Sequence, residues 1–224
     1  MKLKRLTLQV LIGVIVSVLV LLPNKLSCQT PAAFTQLGTP TNATVWQHVG
    51  RVYLDPNTGK AVYVGYLVHI YGITSSLFSG PPSESTAYFT FSTDVIWLTP
   101  MPNNGNMALS LVSAGRFNVY YNANPNGDWN APATFASGQL VATFRRTESL
   151  FPVIASVGVH NLSESLQSSQ SFYFNGQAMN FNRIAPHGIT FGQFVDMTTP
   201  LAGIVNYPVA FAVVGTTTAI GSRD

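Results

Sequence analysis

Histidines and acids are the side chains here most able to do chemistry. The four histidines, His48, His69, His160 and His187, are scattered. None has a second histidine or a cysteine two to four residues away, so the short-range spacing of a zinc site is missing. His69 lies in an apolar run and reads as a hydrogen-bonded residue of a sheet face. The eight acids, Asp55, Glu84, Asp94, Asp128, Glu148, Glu164, Asp196 and Asp224, are well separated. A glycosidase needs two carboxylates about 5–10 Å apart, and nothing in this spacing pairs them. Nucleophilic catalysis needs a Ser or Cys with a base and an orienting acid, and no Gly-x-Ser-x-Gly elbow occurs. The residues therefore point to a protein without catalysis, cofactor or metal.

Tyr120 to Trp129 is the most distinctive segment. Asn122, Asn124, Asn126 and Gly127 fall at positions 1, 3, 5 and 6 of a calcium loop. All three ligand positions are neutral, and position 12 is Ala133 rather than Glu. A hard cation wants carboxylates, so the segment reads as a long hairpin loop of turn-forming Asn and Gly. Asn122, Asn124, Asn126, Asp128 and Trp129 form a candidate contact loop, because an exposed aromatic beside polar groups is a common recognition element. Folding back of Trp129 as a lid on the sheet is the competing expectation.

The elements that position these residues are strands. Ala61 to Ile73 is apolar on both faces of an extended chain, with Val62, Val64, Tyr66, Val68 and Ile70 on one and Tyr63, Leu67, His69 and Tyr71 on the other. Asp55-Pro-Asn-Thr-Gly59 before it supplies a turn, so a hairpin is expected. Thr86 to Trp97 alternates, placing Ala87, Phe89, Phe91, Val95 and Trp97 inward. Met107 to Tyr121 is long, and Gly115 inside it suggests a bulge. Strands are expected at Gln139 to Thr147, Val153 to His160, Ser171 to Phe181, Ile189 to Val195 and Pro208 to Thr217. Turn clusters such as Pro102 to Gly105, Asn126-Gly127 and Asn175-Gly176 separate them. Only Leu162 to Ser169, capped by Ser163, offers a turn or two of helix. The fold class is all-β: an antiparallel sandwich or barrel of about nine or ten strands, in one domain over 46–224. Tyr63, Tyr66, His69 and Tyr71 are a candidate face for an apolar ligand.

Residues 1–28 read as an export signal. Lys2, Lys4 and Arg5 are followed by an apolar run from Leu6 to Leu22, which ends at Pro23. Cys28, the only cysteine, falls just past this run. Lys25-Leu26-Ser27-Cys28 resembles a lipobox, with Lys25 where an apolar residue is normal, and the resemblance implies diacylation at Cys28. Ordinary cleavage near Cys28 or at Thr30 to Ala33 is the competing reading. Residues 29–45, rich in Thr, Pro and Ala, are expected to be a tether or lead-in.

The net charge of +3 belongs to the leader. Four of eleven basic residues precede residue 28, leaving seven against eight acids, a net −1. Nucleic acid needs clustered cations, and only Arg145-Arg146 are adjacent, so that partner is excluded. Membrane contact is expected through the N-terminal segment alone. The expectation is an exported surface or extracellular binding or structural module, located outside the cell, in a periplasm or anchored at the cell surface. Its ligand would be a carbohydrate, a protein or an apolar small molecule. The alternatives are a small barrel carrying an apolar ligand and an enzyme of unassigned reaction. Asn42-Ala43-Thr44 and Asn161-Leu162-Ser163 are glycosylation sequons.

Overall fold

The computed structural model describes residues 39–40 and 42–221; the leader, Cys28 and most of the lead-in lie outside the described residues. The described chain is almost entirely antiparallel β. Its strands are β1 (Thr44–Asp55), β2 (Lys60–Ile70), β3 (Phe89–Thr93), β4 (Ile96–Asn104), β5 (Met107–Val112), β6 (Gly115–Tyr121) and β7 (Gln139–Arg146). They continue with β8 (Ser149–Ile154), β9 (Val157–Ser169), β10 (Phe172–Phe174), β11 (Gln177–Met179), β12 (Ile189–Ile204) and β13 (Tyr207–Ala219). Two short helices complete the set, a 3-10 turn at Pro132–Ala136 and α1 (Phe181–Ile184).

The ladders close on themselves. One ring runs β1-β13-β12-β9-β7-β6-β3-β2, and β2 pairs back to β1. A second path from β2 to β9 runs through β4, β5 and β8. The two paths are the two halves of three long, broken strands. β3–β4 breaks at Asp94-Val95, β5–β6 at Ser113-Ala114 and β7–β8 at Thr147-Glu148. The molecule is thus an up-and-down barrel of eight legs, each antiparallel to the next, so of sandwich and barrel it is a barrel.

Local physics explains most of the turns. At the β1–β2 hairpin the Asp55 carboxylate accepts from the Asn57 amide at 3.0 Å and the Thr58 hydroxyl at 2.6 Å. Gly59 closes the turn at φ 69°. Asn175 and Gly176, both at positive φ, make the tight β10–β11 turn.

Four expectations need correction. Val153 to His160 is a hairpin, turning at Ala155 and Ser156, which both adopt positive φ. Leu162 to Ser169 is strand, because β9 is held by β12 on one side and β7 on the other. Val95 and Trp97 face solvent rather than the core, with exposures of 43% and 48%. The break at Asp94 reverses the alternation, and Ile96 takes the inward place. The Asp94 carboxylate secures the break by accepting from the Arg116 amide at 3.2 Å and Nε at 2.8 Å. Ile70 joins Leu67 inside, because a register shift opposite Gln47 and His48 resets the alternation of β2.

The interior is aromatic. Trp46 packs on Phe117, Phe144, Phe181 and Phe191 at ring separations of 5.5–6.3 Å. Such pairs contribute about 0.5–1.5 kcal/mol each beyond their burial. The β10–β11 hairpin and α1 close one end, the floor, with Phe172, Phe174, Met179, Phe181 and Ile184 all buried. Outward positions mix Ser92, Asn118, Asn161, Ser163, Thr190 and Thr216 with scattered apolar side chains such as Phe194 and Val214. The apolar interior contrasts with the polar lumen of a membrane-spanning barrel.

Candidate functional site

Away from the floor, the barrel is not completely filled. Val52, Leu54, Ala61, Tyr63, Ile96, Leu98, Val112, Phe117, Phe151, Leu162, Phe191, Val195, Met197 and Phe211 line a half-enclosed cavity. The centre of a water-sized sphere has about 60 Å³ of it to move in. One water occupies ~10–15 Å³ on that measure, so there is room for several waters or a short organic molecule. Leu54, Leu98, Phe151 and Met197 are only partly buried and form the rim.

Four polar side chains share this apolar lining: Arg146, His160, Glu164 and Gln193. His160 and Glu164 lie on the same face of β9, separated by Leu162, since residues two apart on a strand point the same way. The β7–β9 register sets Arg146 directly opposite Glu164, and the β12–β9 register sets Gln193 opposite His160. On β1, His48 points inward beside Gln193; the ring fits because residue 215 opposite is glycine. A Cβ there would stand 2.5 Å from His48 Nε2.

Arg146 and Glu164 are 3% and 2% exposed, yet they pair loosely. Arg146 Nη1 stands 4.0 Å from Glu164 Oε1, beyond hydrogen-bond range. Arg146 Nε donates to the Ser113 carbonyl at 3.2 Å. Arg146 Nη2, Glu164 Oε2, Gln193 Oε1, the Tyr63 hydroxyl and both ring nitrogens of His48 are buried without a hydrogen-bond partner among the described residues. Leaving a buried polar group unpaired costs about 1–3 kcal/mol, and more if it is charged. Four of these six atoms belong to residues that line the cavity: Arg146, Glu164, Gln193 and Tyr63.

Burial also sets the charges. It pushes Glu164 up to about 8, with the Arg146 guanidinium opposing but not overcoming it. Burial likewise lowers Arg146 against the pull of Glu164, so each member loses more to desolvation than it gains from its distant partner. His48 is lowered to about 4 by burial, with Gln193 working the other way. His160 is also lowered to about 4, by burial and then by the Arg146 charge. Tyr63 is raised well above the usual phenol range by burial alone.

The contact nearest to catalytic geometry is Ser149 Oγ to His160 Nε2, at 2.7 Å. Its chemistry is wrong for a nucleophile and base. The Gln193 amide nitrogen donates to His160 Nδ1 at 3.1 Å. The neutral ring then carries its hydrogen on Nε2 and donates to Ser149, instead of accepting its proton. A base held near 4 also costs proton transfer about 3 kcal/mol against an ordinary imidazole.

The residues singled out from the sequence are dispersed. Of Tyr63, Tyr66, His69 and Tyr71, only Tyr63 faces the cavity. Tyr66 points outward and packs on Phe78 and Trp129, and His69 is exposed. Strand alternation and the β2 irregularity separate them. In the loop, Asn122 Nδ2 donates to Asn126 Oδ1 at 2.9 Å, and Asn122 Oδ1 accepts from the Asn124 amide. Asp128 Oδ1 accepts from the Asn130 amide at 2.8 Å. These side chains are turned on each other. Trp129 folds back as a lid on the outer wall, against Phe135 at 4.7 Å, with Arg51 over its ring at 4.6 Å. The Tyr53 hydroxyl donates to the Trp129 carbonyl at 2.5 Å. Cys28 lies outside the described residues.

The sequence reading did not single out Arg146, Glu164, His160, Gln193 or His48 as a group. One signal for it was available. His160, Leu162, Glu164 and Leu166 alternate, and reading 162–169 as helix hid that they share a strand face.

No protein-family model matches the chain, and neither the curated proteins nor the solved structures contain a match.

Proposed function

We propose that this protein is an exported, non-catalytic binding module whose barrel holds a small, largely apolar molecule with one polar end. A single observation carries the reading: a half-enclosed apolar cavity whose lining includes Arg146, Glu164, Gln193 and Tyr63, residues with buried, unpartnered polar atoms. Apolar walls with a few convergent polar groups are the usual composition of a small-molecule site. Export, and anchoring through Cys28, rest on the basic and apolar leader.

The test uses the full-length chain and 1-hexanol as probe. Saturation-transfer NMR is expected to show binding. Thermal stability is expected to rise by a few degrees at about a hundredfold excess over Kd, where linkage adds ~2.7 kcal/mol. Ala61→Leu adds three carbons to the wall, and Leu98→Phe narrows the rim. Both are expected to reduce binding at least tenfold. Absence of binding to the wild type, or undiminished binding to both variants, overturns the reading.

A further inference from the structure

We propose that the ligand of this cavity is a short-chain monocarboxylate, its carboxylate seated on Arg146 and its hydrocarbon chain running out to the rim at Leu54, Leu98 and Met197. The inference deepens the binding reading above and rests on it.

Charge balance inside the barrel carries the argument. Arg146 is a fixed cation, since a guanidinium does not deprotonate in proteins. Its nearest carboxylate oxygen is 4.0 Å away, and its Nη2 has no partner among the described residues. A buried cation without a hydrogen-bonded counter-ion is costly. The remaining donors suit an anion too. Tyr63 belongs to the same lining, and its hydroxyl is buried and unpartnered. Glu164, kept protonated by burial, has an O–H to donate. A guanidinium fork with two hydroxyl donors matches a carboxylate. The rest of the lining is hydrocarbon, so the body of the ligand is apolar. The small volume limits it to a chain a few carbons wide, one that leaves through the open side.

The arrangement has a pH signature. Besides Glu164, the charged and titratable groups of the barrel interior are Arg146 on β7, His160 on β9 itself, His48 on β1 and Tyr63 on β2, with Asp94 acting on Arg146 from the strand break. Over neutral pH both histidines are uncharged and Tyr63 is protonated. Glu164 alone changes state, near pH 8. Below that point the Arg146 charge is uncompensated and attracts a carboxylate. Above it, Glu164 becomes the counter-ion and repels the ligand.

The experiment titrates the full-length chain with hexanoate and, separately, 1-hexanol between pH 6 and pH 9.5. Hexanoate is expected to bind at least tenfold more tightly than 1-hexanol at pH 6.5. Its Kd is expected to rise roughly tenfold between pH 7 and pH 9, as linkage to one proton requires, while that of 1-hexanol stays flat. In Glu164→Gln, hexanoate binding is expected to persist to pH 9. In Arg146→Met, provided it unfolds cooperatively, the preference for hexanoate is expected to vanish. Equal binding of the two probes, or a pH-independent hexanoate Kd in the wild type, overturns the carboxylate assignment. Binding of 1-hexanol alone also overturns it and leaves the cavity-binding reading standing. Failure of both probes rejects both.

Discussion

The buried ionisable residues shift proton binding in opposite directions, and this sets how stability depends on pH. Glu164 is raised from 4.5 to about 8, so between those values the folded chain holds a proton that the unfolded chain releases. Its contribution therefore falls as pH rises through that window. His48 and His160 are lowered from 6.5 to about 4, so between 4 and 6.5 the unfolded chain binds more protons. Their contribution is lost as pH falls. Each group changes stability by about 1.4 kcal/mol per pH unit across its window. Below pH 6.5 two histidines oppose one carboxyl, and above it the carboxyl acts alone. Urea denaturation is expected to show maximum stability near pH 6.5 and a decline towards pH 8 that Glu164→Gln abolishes. A flat wild-type profile from 6.5 to 8 would refute the burial of Glu164. At the same scale, Gly215→Ala drives a methyl into the His48 ring. The expected cost is about 1–3 kcal/mol, much of it recovered in the His48→Ala/Gly215→Ala double variant.

Among the elements, the segment from Asn122 to Gly138 is an outer brace. Trp129 and Phe135 cover Tyr53, Val64 and Ala210 on the outside of the barrel, and the Thr90 hydroxyl donates to the Phe135 carbonyl at 2.7 Å. Truncating a packed Trp costs about 3–5 kcal/mol. Trp129→Ala is expected towards the lower part of that range, since one face of the ring meets Arg51 at the surface. Proteolytic nicking within 122–138 is expected to increase in parallel, and an unchanged cleavage pattern would show that the ring is not the brace. The Asn side chains bond one another and leave no carboxylate cage. Addition of ~1 mM calcium is therefore expected to move Tm by less than about one degree, against the few degrees that real binding gives. A calcium-dependent rise that Asp128→Ala removes would identify the loop as a metal site.

For the whole molecule, closure depends on the two ends of the described chain. β13 pairs with β12 on one side and β1 on the other, and β1 pairs with β2 across its far edge. Deleting residues 207–224 opens the ring, bares two strand edges and leaves Trp46 on an unclosed wall. Cooperative unfolding is expected to be lost, as judged by denaturation monitored by tryptophan fluorescence. Outside the barrel, the position of Cys28 after the apolar leader leads to a separate expectation. Expressed in a bacterium, the wild type is expected in the membrane fraction, and Cys28→Ala is expected to be released or misprocessed, because two acyl chains anchor stably. Wild type found soluble outside the cytoplasm would leave plain secretion.

The sequence alone determined the all-β class and much of the strand inventory, because these follow from short-range physics. Period-two alternation in Ala61 to Leu67, the Asp55 to Gly59 turn and the positive-φ pair Asn175-Gly176 are decided within a few residues. The charge of the leader was legible for the same reason. The break at Asp94 was not, since the Asp94–Arg116 contact joins residues on different legs, whereas the one at Ser113 lies beside Gly115, where a bulge was expected. Neither was the choice of barrel over sandwich, which rests on β1 meeting β13 from the far end of the chain. The polar cluster shows the division most sharply. His160 and Glu164 share a face by alternation alone. Arg146, Gln193 and His48 reach them only through the registers of β7, β12 and β1 with their neighbours. A one-residue slip in any of those ladders would turn its side chain to solvent. Only the tertiary structure decides register, because register is set by the packing of the whole ring.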